Sequence, residues 1–213
     1  MKLYNLDHSP YATRVRTTLR KKGLGFSIEA PPVPLKSPAF AERFPLAKIP
    51  VLELDDGTQV PDSWVIMEYL EAVAPQPRLA PADPLARAQM QLLARYADTY
   101  LGPQGLFPLF QRVLQPAGTD GAEEQLAELD RELARLQRLL ERLPDFRERE
   151  VHLGDIALAP TMDYVLMLAP MFGVEQPLAA YPLADTWWRW VLQDEAVAAS
   201  SAEMRGAAAQ FFG

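Results

Sequence analysis

The sequence predicts an α/β domain over residues 1–75 and an all-helical domain over residues 85–213, joined by a proline-rich linker over residues 76–84. Short apolar runs typical of strands alternate with helical periodicity up to about residue 80, and no convincing strand pattern follows. The region around the linker carries prolines at 75, 77, 81 and 84, which exclude a regular element there.

The first domain has the predicted element order β-α-β-β-β-α, with a poorly defined segment before the third strand. The turn Asp55-Asp56-Gly57 between two apolar runs indicates a β-hairpin. A proline early in the first helix and Gly23 after it mark the two ends of that helix. The predicted strands are Lys2–Tyr4, Phe26–Glu29, Val51–Leu54 and Thr58–Val60, and the predicted helices are Pro10–Lys22 and one opened by Asp62.

The second domain is predicted to consist of long helices. Leucines at 126, 129, 133, 136, 140 and 143 recur on one helical face, which indicates core packing. The predicted helices are residues 83 to about 101, Glu123–Leu143, one that begins near Leu153 and one that contains Trp187 and Trp188.

Composition excludes several classes of function. The net charge of −7 and the pI near 4.9 argue against direct nucleic-acid binding, because phosphate backbones select basic proteins. The absence of cysteine removes disulfides, zinc-thiolate sites and a protein thiol nucleophile, and two histidines are too few for a histidine-based cluster, so no metal is expected. No apolar window approaches the roughly 18 residues that a membrane span needs, and no signal-peptide pattern is present, so we expect a cytoplasmic protein without membrane contact.

Ser9 opens the most informative segment, Ser9-Pro10-Tyr11-Ala12-Thr13-Arg14-Val15-Arg16. A strand ends there, a turn exposes a hydroxyl and a helix begins at a proline, so a bound group faces the positive end of the helix macrodipole. Such a position favours an anion, for example a thiolate. The alternative is that Ser9 only caps the helix, in which case Tyr11 or Tyr4 is the next hydroxyl to consider.

Two further segments carry groups that suit a peptide ligand. In Lys48-Ile49-Pro50-Val51-Leu52, the Ile49–Pro50 bond is a candidate cis peptide whose turn leaves the backbone of Ile49 free to pair with an extended peptide. The pair Asp62-Ser63 starts a helix, where the carboxylate suits an ammonium while the hydroxyl and the helix N–H groups suit a carboxylate. The alternative for this pair is an ordinary N-cap.

Together these segments resemble the glutathione transferase family. The ordered pattern Ser-Pro-Tyr, Lys-Ile-Pro-Val-Leu and Asp-Ser-x-x-Ile-x-x-Tyr-Leu covers the first domain, which the resemblance makes a thioredoxin-like, glutathione-binding domain. The pattern is similar to the omega-class and related bacterial branches, which have Cys-Pro-Phe in place of Ser-Pro-Tyr. It is also similar to the zeta class, which places a catalytic serine before Arg-Val-Arg. In the second domain, residues 153–160 resemble the Ser-Leu-Ala-Asp-Ile-Ala-Leu-Ala-Pro helix start of the family.

The resemblance implies a role for each matching residue. Ser9 would be the catalytic residue and would donate a hydrogen bond to the glutathione sulfur. Ile49 with Pro50 would bind the cysteinyl backbone of glutathione, and Asp62 with Ser63 would bind its γ-glutamyl head. Lys36 with Lys48 would bind its glycyl carboxylate.

Three positions depart from the family pattern. Phe44-Pro45-Leu46-Ala47 stands where the family often has Asn-Pro-x-Gly, and Asp62 is one methylene shorter than the usual Glu. Both departures bear on glutathione affinity. His152 stands where the family has a Ser or Thr N-cap that pairs with an Asp three residues later, so we expect an incomplete cap on that helix.

The predicted function is a detoxifying enzyme that conjugates the glutathione thiolate to a small hydrophobic electrophile, or uses glutathione for isomerisation or dehalogenation. Glutathione is then a co-substrate, the electrophile lies in a pocket between the domains, and the protein is a homodimer. Thiol exchange of the omega type is disfavoured, because Ser9 cannot supply a protein thiolate. The alternative is a non-catalytic interaction protein, since residues 65–70 are similar to the Ile-Ile-Met-Glu-Tyr-Leu helix of stringent starvation protein A, which has this fold and acts by binding RNA polymerase.

Overall fold

Four short strands form one sheet: β1 (Lys2–Tyr4), β2 (Ser27–Glu29), β3 (Val51–Glu53) and β4 (Gln59–Pro61). The computed structural model describes residues 1–115 and 118–212. The strand order is β2-β1-β3-β4; β1 and β2 are parallel, whereas β1–β3 and β3–β4 are antiparallel. All four predicted strands are therefore present within one residue of their expected bounds, and the β3–β4 hairpin turns at Gly57 with φ +84°.

Contacts divide the chain into two units, Met1–Ala80 with the C-terminal segment from Ala196, and Pro81–Glu195. The sequence analysis assigns that C-terminal segment to the helical domain, whereas its contacts lie with the first unit. The segment forms one helix that the sequence analysis did not predict, because its alanine- and serine-rich composition shows no apolar stripe. The helices of the first unit are α1 (Pro10–Lys21), α2 (Pro38–Arg43), α3 (Ser63–Val73) and the C-terminal helix, Glu195–Phe212.

Helix α2 fills the segment that the sequence left undefined. Ser37 caps it by accepting the N–H of Phe40 at 3.1 Å, and Pro38 occupies the first turn. Phe40 is fully buried and is the residue that ties this helix to the core. Six residues are too short for a periodic pattern, so only the Ser-Pro signal could have revealed the helix.

A buried ion pair holds the proline-rich linker in place. The ammonium of Lys22 contacts the carboxylate of Glu71 and also donates to the carbonyls of Ala74, just after α3, and Pro77, in the linker, both at 2.7 Å. Glu71 in turn accepts the backbone N–H groups of Leu79 and Ala80, in the middle of the linker, at 3.0 to 3.2 Å. Residues 76–83 form no helix or strand, and these two side chains bind three backbone groups of the linker.

The second unit is helical and contains no strand among its described residues, 81–115 and 118–195. One long helix was expected from residue 83 to about 101; instead an α-helix passes into a π-helical segment at Ala97, and that segment contains Pro103. Most of the leucine stripe is buried, as predicted. The helical segments are α4 (Pro84–Tyr96), the π-helix (Ala97–Leu106), α5 (Phe107–Val113), α6 (Glu123–Leu140), α7 (Leu153–Leu168) and α8 (Pro182–Val191), and we label the C-terminal helix α9.

The N-terminal end of α7 corrects one expectation. We expected His152 to leave the helix incompletely capped, but its Nδ1 lies 3.2 Å from the Asp155 amide nitrogen, and its own backbone N–H donates to Asp155 Oδ2 at 3.0 Å. Both halves of a capping box are therefore present. The prediction was wrong because it considered only hydroxyl caps, whereas the lone pair of an imidazole nitrogen also accepts an N–H.

Asp155 is the fully buried polar centre of this unit. Its carboxylate accepts from Trp187 Nε1 at 2.9 Å and pairs with Arg149 at 2.5 and 3.0 Å. Burial opposes ionisation, but His152 and Arg149 outweigh it and hold the pKa of Asp155 well below its usual range. The carboxylate of Asp155 therefore connects Trp187 in α8 and Arg149 in the segment before α7.

Gly154 allows α7 to approach α4 closely. A Cβ atom at Gly154 would lie 2.3 Å from the carbonyl oxygen of Met90 and 3.0 Å from the His152 ring. Only glycine fits at such a distance from a backbone atom. The close approach places the helix start beside the middle of α4.

Among the described residues, one segment, Leu153–Phe172, is long and apolar enough to cross a membrane by length and composition. The sequence analysis found no such window. Of that window, 72% is buried inside the protein, and the segment carries Asp155 and Asp163, so its apolar composition is that of a core helix.

We predict that Gly154→Ala lowers the free energy of unfolding by about 2–3 kcal/mol, because a methyl group has no room beside a backbone carbonyl. The matched control is Gly206→Ala in α9, where nothing lies within 4 Å of the added Cβ. The control should be neutral or stabilising by up to about 1 kcal/mol, since alanine is the better helix former. Urea unfolding of both variants measures the difference, and equal effects would contradict the close α4–α7 contact.

Candidate functional site

The register of the sheet brings three chain segments to one edge. Tyr4 pairs with Val51 and Val51 pairs with Pro61, so these three residues form one row across β1, β3 and β4. With neighbouring strands about 4.8 Å apart, the row spans roughly 10 Å. Three segments adjoin this row: residues 5–9 after β1, 49–50 before β3 and 62–63 after β4. They carry the predicted catalytic residue and the predicted contacts to the cysteinyl and γ-glutamyl units of glutathione.

Ser9 caps α1. Its Oγ accepts the N–H of Ala12 at 3.2 Å, and its carbonyl accepts the N–H and the hydroxyl of Thr13 at 2.9 and 2.8 Å. The cap uses Oγ only as an acceptor, and the described residues offer no acceptor for the hydroxyl hydrogen. Capping the helix and donating a hydrogen bond to a ligand are therefore compatible roles for the same hydroxyl.

Arg16 holds the turn after β1. Its buried guanidinium donates to the Asn5 side chain at 2.5 Å, to the Asp7 carbonyl at 3.0 Å and to the Thr13 hydroxyl at 2.9 Å. Burial lowers the pKa of Arg16, and Glu203 in α9, 3.7 Å away, together with Asp7 opposes that shift. Sequence reasoning treated this arginine only as part of a motif; a cation on the buried face of an amphipathic helix is the signal that could have revealed its role.

The Ile49–Pro50 peptide bond is cis, as predicted. Pro50 is buried, while Ile49 is half-buried and packs against the core cluster of Tyr4, Phe40 and Phe44. Within residues 1–115 and 118–212, the backbone of Ile49 makes no hydrogen bond. Its N–H and C=O are thus available to an extended peptide at the site edge.

Asp62 starts α3 in a strained conformation, with φ +72° and ψ +127°. Its Oδ1 accepts the N–H groups of Trp64 and Val65 at 2.9 and 3.2 Å, so the N-cap alternative is also present in the structure. Asp62 is exposed and Oδ2 has no partner among the described residues, whereas Ser63 is only 5% exposed. Strain of this kind costs about 1–3 kcal/mol and is concentrated at functional positions.

The two predicted lysines differ in their placement. Lys48 lines a cavity of about 210 Å³ that also includes Val51 and Pro61 of the row. Lys48 therefore lies next to the candidate site. Lys36 is exposed in the loop before α2, with φ +65°, and it makes no hydrogen bond or ion pair with the described residues.

Ala47, which stands where the family pattern has Gly, keeps a backbone conformation that favours glycine. It has φ +49°, in the left-handed region that glycine adopts without steric cost. The family pattern has Gly at this position, so the turn keeps the conformation that Gly would favour. An alanine there costs roughly 1–2 kcal/mol.

Tyr4 is unsuited to be the alternative thiol-activating hydroxyl. It is 2% exposed and belongs to the core cluster of the first unit. Its hydroxyl donates to Glu53 at 3.2 Å and accepts from Arg43 at 2.8 Å. Both capacities of the hydroxyl are used inside the protein, which favours Ser9.

Comparison with known proteins identifies the first unit. Residues 3–78 match the family model of the glutathione S-transferase N-terminal domain. The maleylacetoacetate isomerase of Pseudomonas aeruginosa is 38% identical over 110 residues, which cover 48% of this chain and 51% of the isomerase. The chain spans about half the length of the curated relatives that it matches.

Two solved structures extend the similarity over nearly the whole chain. A glutathione S-transferase from Methylobacillus flagellatus with glutathione bound is 27% identical, with a TM-score of 0.74, and the match covers 93% of this chain and 98% of that one. Maleylpyruvate isomerase from Pseudomonas aeruginosa is 28% identical, with a TM-score of 0.69, and the match covers 96% and 97%. From the sheet architecture, the domain match and these relatives, we conclude that residues 3–78 form a glutathione S-transferase N-terminal domain and that the chain as a whole is similar to solved structures of that family.

Proposed function

We propose that this protein is a glutathione transferase that presents the glutathione thiolate to a small hydrophobic electrophile. One observation carries the proposal: the pairing of Tyr4, Val51 and Pro61 brings the unpaired backbone of Ile49 and the starts of α1 and α3 to one end of the sheet. A non-catalytic scaffold has no need for this arrangement. Relatives named maleylacetoacetate isomerase and maleylpyruvate isomerase favour isomerisation as the reaction, with conjugation and dehalogenation as the other candidates.

The charges at this edge match those of glutathione, an extended tripeptide with two carboxylates, one ammonium and one thiol. In our proposal the backbone of Ile49 pairs with the cysteinyl unit. Asp62 Oδ2 receives the γ-glutamyl ammonium, while Ser63 and the N–H groups of the first turn of α3 receive its carboxylate. Lys48, with Lys36 at longer reach, neutralises the glycyl carboxylate.

Ser9 stabilises the thiolate in this proposal. A free thiol has a pKa of about 8.5, so little of it is ionised at neutral pH. A hydrogen bond from the Ser9 hydroxyl and the positive end of α1 both favour the anion, and each unit by which they lower the pKa corresponds to about 1.4 kcal/mol. The thiolate then attacks an electrophilic carbon, and because the chain has no cysteine the attacking sulfur belongs to glutathione.

We further propose that the protein is cytoplasmic and that it forms a homodimer. The dimer is proposed because members of this family pair the first domain of one subunit with the second domain of its partner. A two-fold interface of this kind is self-complementary. Sedimentation at micromolar concentration should give about twice the chain mass of 23.8 kDa. A single-chain mass under those conditions would contradict the dimer and leave the glutathione proposal untouched.

Glutathione should raise the thermal midpoint of the protein, because a ligand in hundredfold excess over its Kd stabilises the folded state by about 2.7 kcal/mol. Asp62→Asn keeps an N-cap oxygen but removes the charge that faces the ammonium, so it should weaken glutathione binding about tenfold or more. The matched control is Asp83→Asn, at the N-cap of α4, where Asp83 Oδ1 accepts an N–H at 2.8 Å. Absence of any shift in the wild type would favour the scaffold alternative, and equal weakening in both variants would remove Asp62 from the site.

Ser9→Ala should lower kcat with an aryl halide about ten- to a hundredfold, since a charge-assisted hydrogen bond contributes roughly 1.5–3 kcal/mol. The pH of half-maximal rate should rise, because less glutathione is ionised at neutral pH. Ser37→Ala is the matched control: Ser37 also precedes a proline and caps a helix, with its Oγ 3.1 Å from an N–H. Both variants should lose about 1 kcal/mol of stability, and unchanged kinetics in Ser9→Ala would restrict Ser9 to capping.

A further inference from the structure

A second cavity lies within the helical unit, Pro81–Glu195, and none of its lining residues belongs to the proposed glutathione site. Its volume is about 320 Å³, which is within the range of small-molecule sites. The walls are mostly apolar and include Leu93 of α4 and Leu143 after α6. Three polar residues complete the lining: Gln89, Arg149 and His152.

The imidazole of His152 lines this cavity and carries a donor that no described protein group uses. In the neutral ring, Nδ1 accepts the Asp155 N–H at 3.2 Å, which leaves the ring hydrogen on Nε2. In the protonated ring, Nδ1 donates to Asp155 Oδ2, 2.7 Å away, and Nε2 again carries a hydrogen. His152 is 7% exposed, and within the described part of the chain Nε2 has no hydrogen-bond partner. Nε2 is not among the buried side-chain atoms that lack a partner, so it is open to solvent and can donate to a ligand in the cavity.

The neighbouring polar groups also favour an acceptor. Arg149 donates to the Glu150 carbonyl at 3.0 Å and to both carboxylate oxygens of Asp155, which leaves further N–H groups of its guanidinium without a partner. Asp155 already accepts from Arg149, His152 and Trp187, so its carboxylate is not the missing acceptor. On the polar side of the cavity, Arg149 and His152 therefore present donors and Gln89 presents an amide, while the remaining walls are apolar.

We propose that this cavity binds a small carboxylic acid with an apolar body, such as an aromatic or medium-chain aliphatic carboxylate. One carboxylate oxygen accepts from His152 Nε2, and the apolar body packs against Leu93 and Leu143. An inorganic anion would satisfy the donor but leave the apolar walls uncovered. The site is independent of the proposed glutathione chemistry, so either can fail without the other.

The test titrates the full-length protein with benzoate and follows the side-chain nitrogen resonances of its two histidines by NMR. His152 Nε2 should respond in a saturable manner, and benzyl alcohol should bind about tenfold more weakly, since it lacks the charged acceptor. His152→Ser keeps an N-cap oxygen but removes Nε2. Calorimetry with this variant should show benzoate binding weakened about tenfold or more, with an unfolding midpoint close to that of the wild type.

Ala86→Trp provides a second variant, because it fills the cavity from α4 without touching the cap of α7. It should abolish benzoate binding, whereas Ala127→Trp, at an exposed position of α6 outside the lining, should not. If His152→Ser does not fold, Ala86→Trp decides the question. Absence of a His152 response, equal binding of benzyl alcohol, or undiminished binding in Ala86→Trp would overturn the proposal.

Discussion

The buried guanidinium of Arg16 fixes the turn on which the candidate site depends. A strand that passes directly into a helix leaves polar backbone and side-chain groups in the interior, and such groups are costly unless they are hydrogen-bonded. Arg16 satisfies the groups of that turn and is itself balanced by Glu203, which also pairs with Arg20 at 2.7 Å. Helix α9 therefore supplies the counter-charge for the turn that presents Ser9, which gives a physical reason for its contacts with the first unit.

The same property of helix ends explains both stability and the proposed binding. The first N–H groups of a helix lack intrahelical partners, and Ser9 and Asp62 each satisfy one or two of them. The remaining N–H groups and the helix dipoles stay directed at the edge where β1 and β4 end. In our proposal, a peptide with a thiolate and a carboxylate at these two positions meets positive potential at both, and the backbone of Ile49 pairs with its middle.

Local signals in the sequence predicted most of the first unit, because turns and caps are encoded in a few neighbouring residues. The Asp-Asp-Gly turn located the hairpin, and the Ser-Pro and Asp-Ser pairs located two helix starts. Helix α2 is too short and α9 too uniform in composition for periodicity to reveal them. The change from α4 to a π-helix at Ala97 depends on tertiary packing, which a periodic pattern does not record.

The site itself could be predicted only in part. Each segment was found from its own chemistry, but their convergence depends on the strand register, and the role of Arg16 depends on contacts with residues far along the chain. The cap at His152 was misjudged for a chemical reason, since an imidazole nitrogen serves as an acceptor as well as a hydroxyl oxygen does. Contacts between residues far apart in the chain could therefore not be predicted from the sequence.

The most direct test of the account is the ionisation of bound glutathione. The chain contains no cysteine, so the difference in ultraviolet thiolate absorbance between samples with and without glutathione reports only on the ligand sulfur. The account predicts that a pH titration of the saturated complex gives a thiol pKa at least one unit below the free value of about 8.5. A bound thiol that titrates at the free value would contradict the claim that the start of α1 and Ser9 stabilise the thiolate.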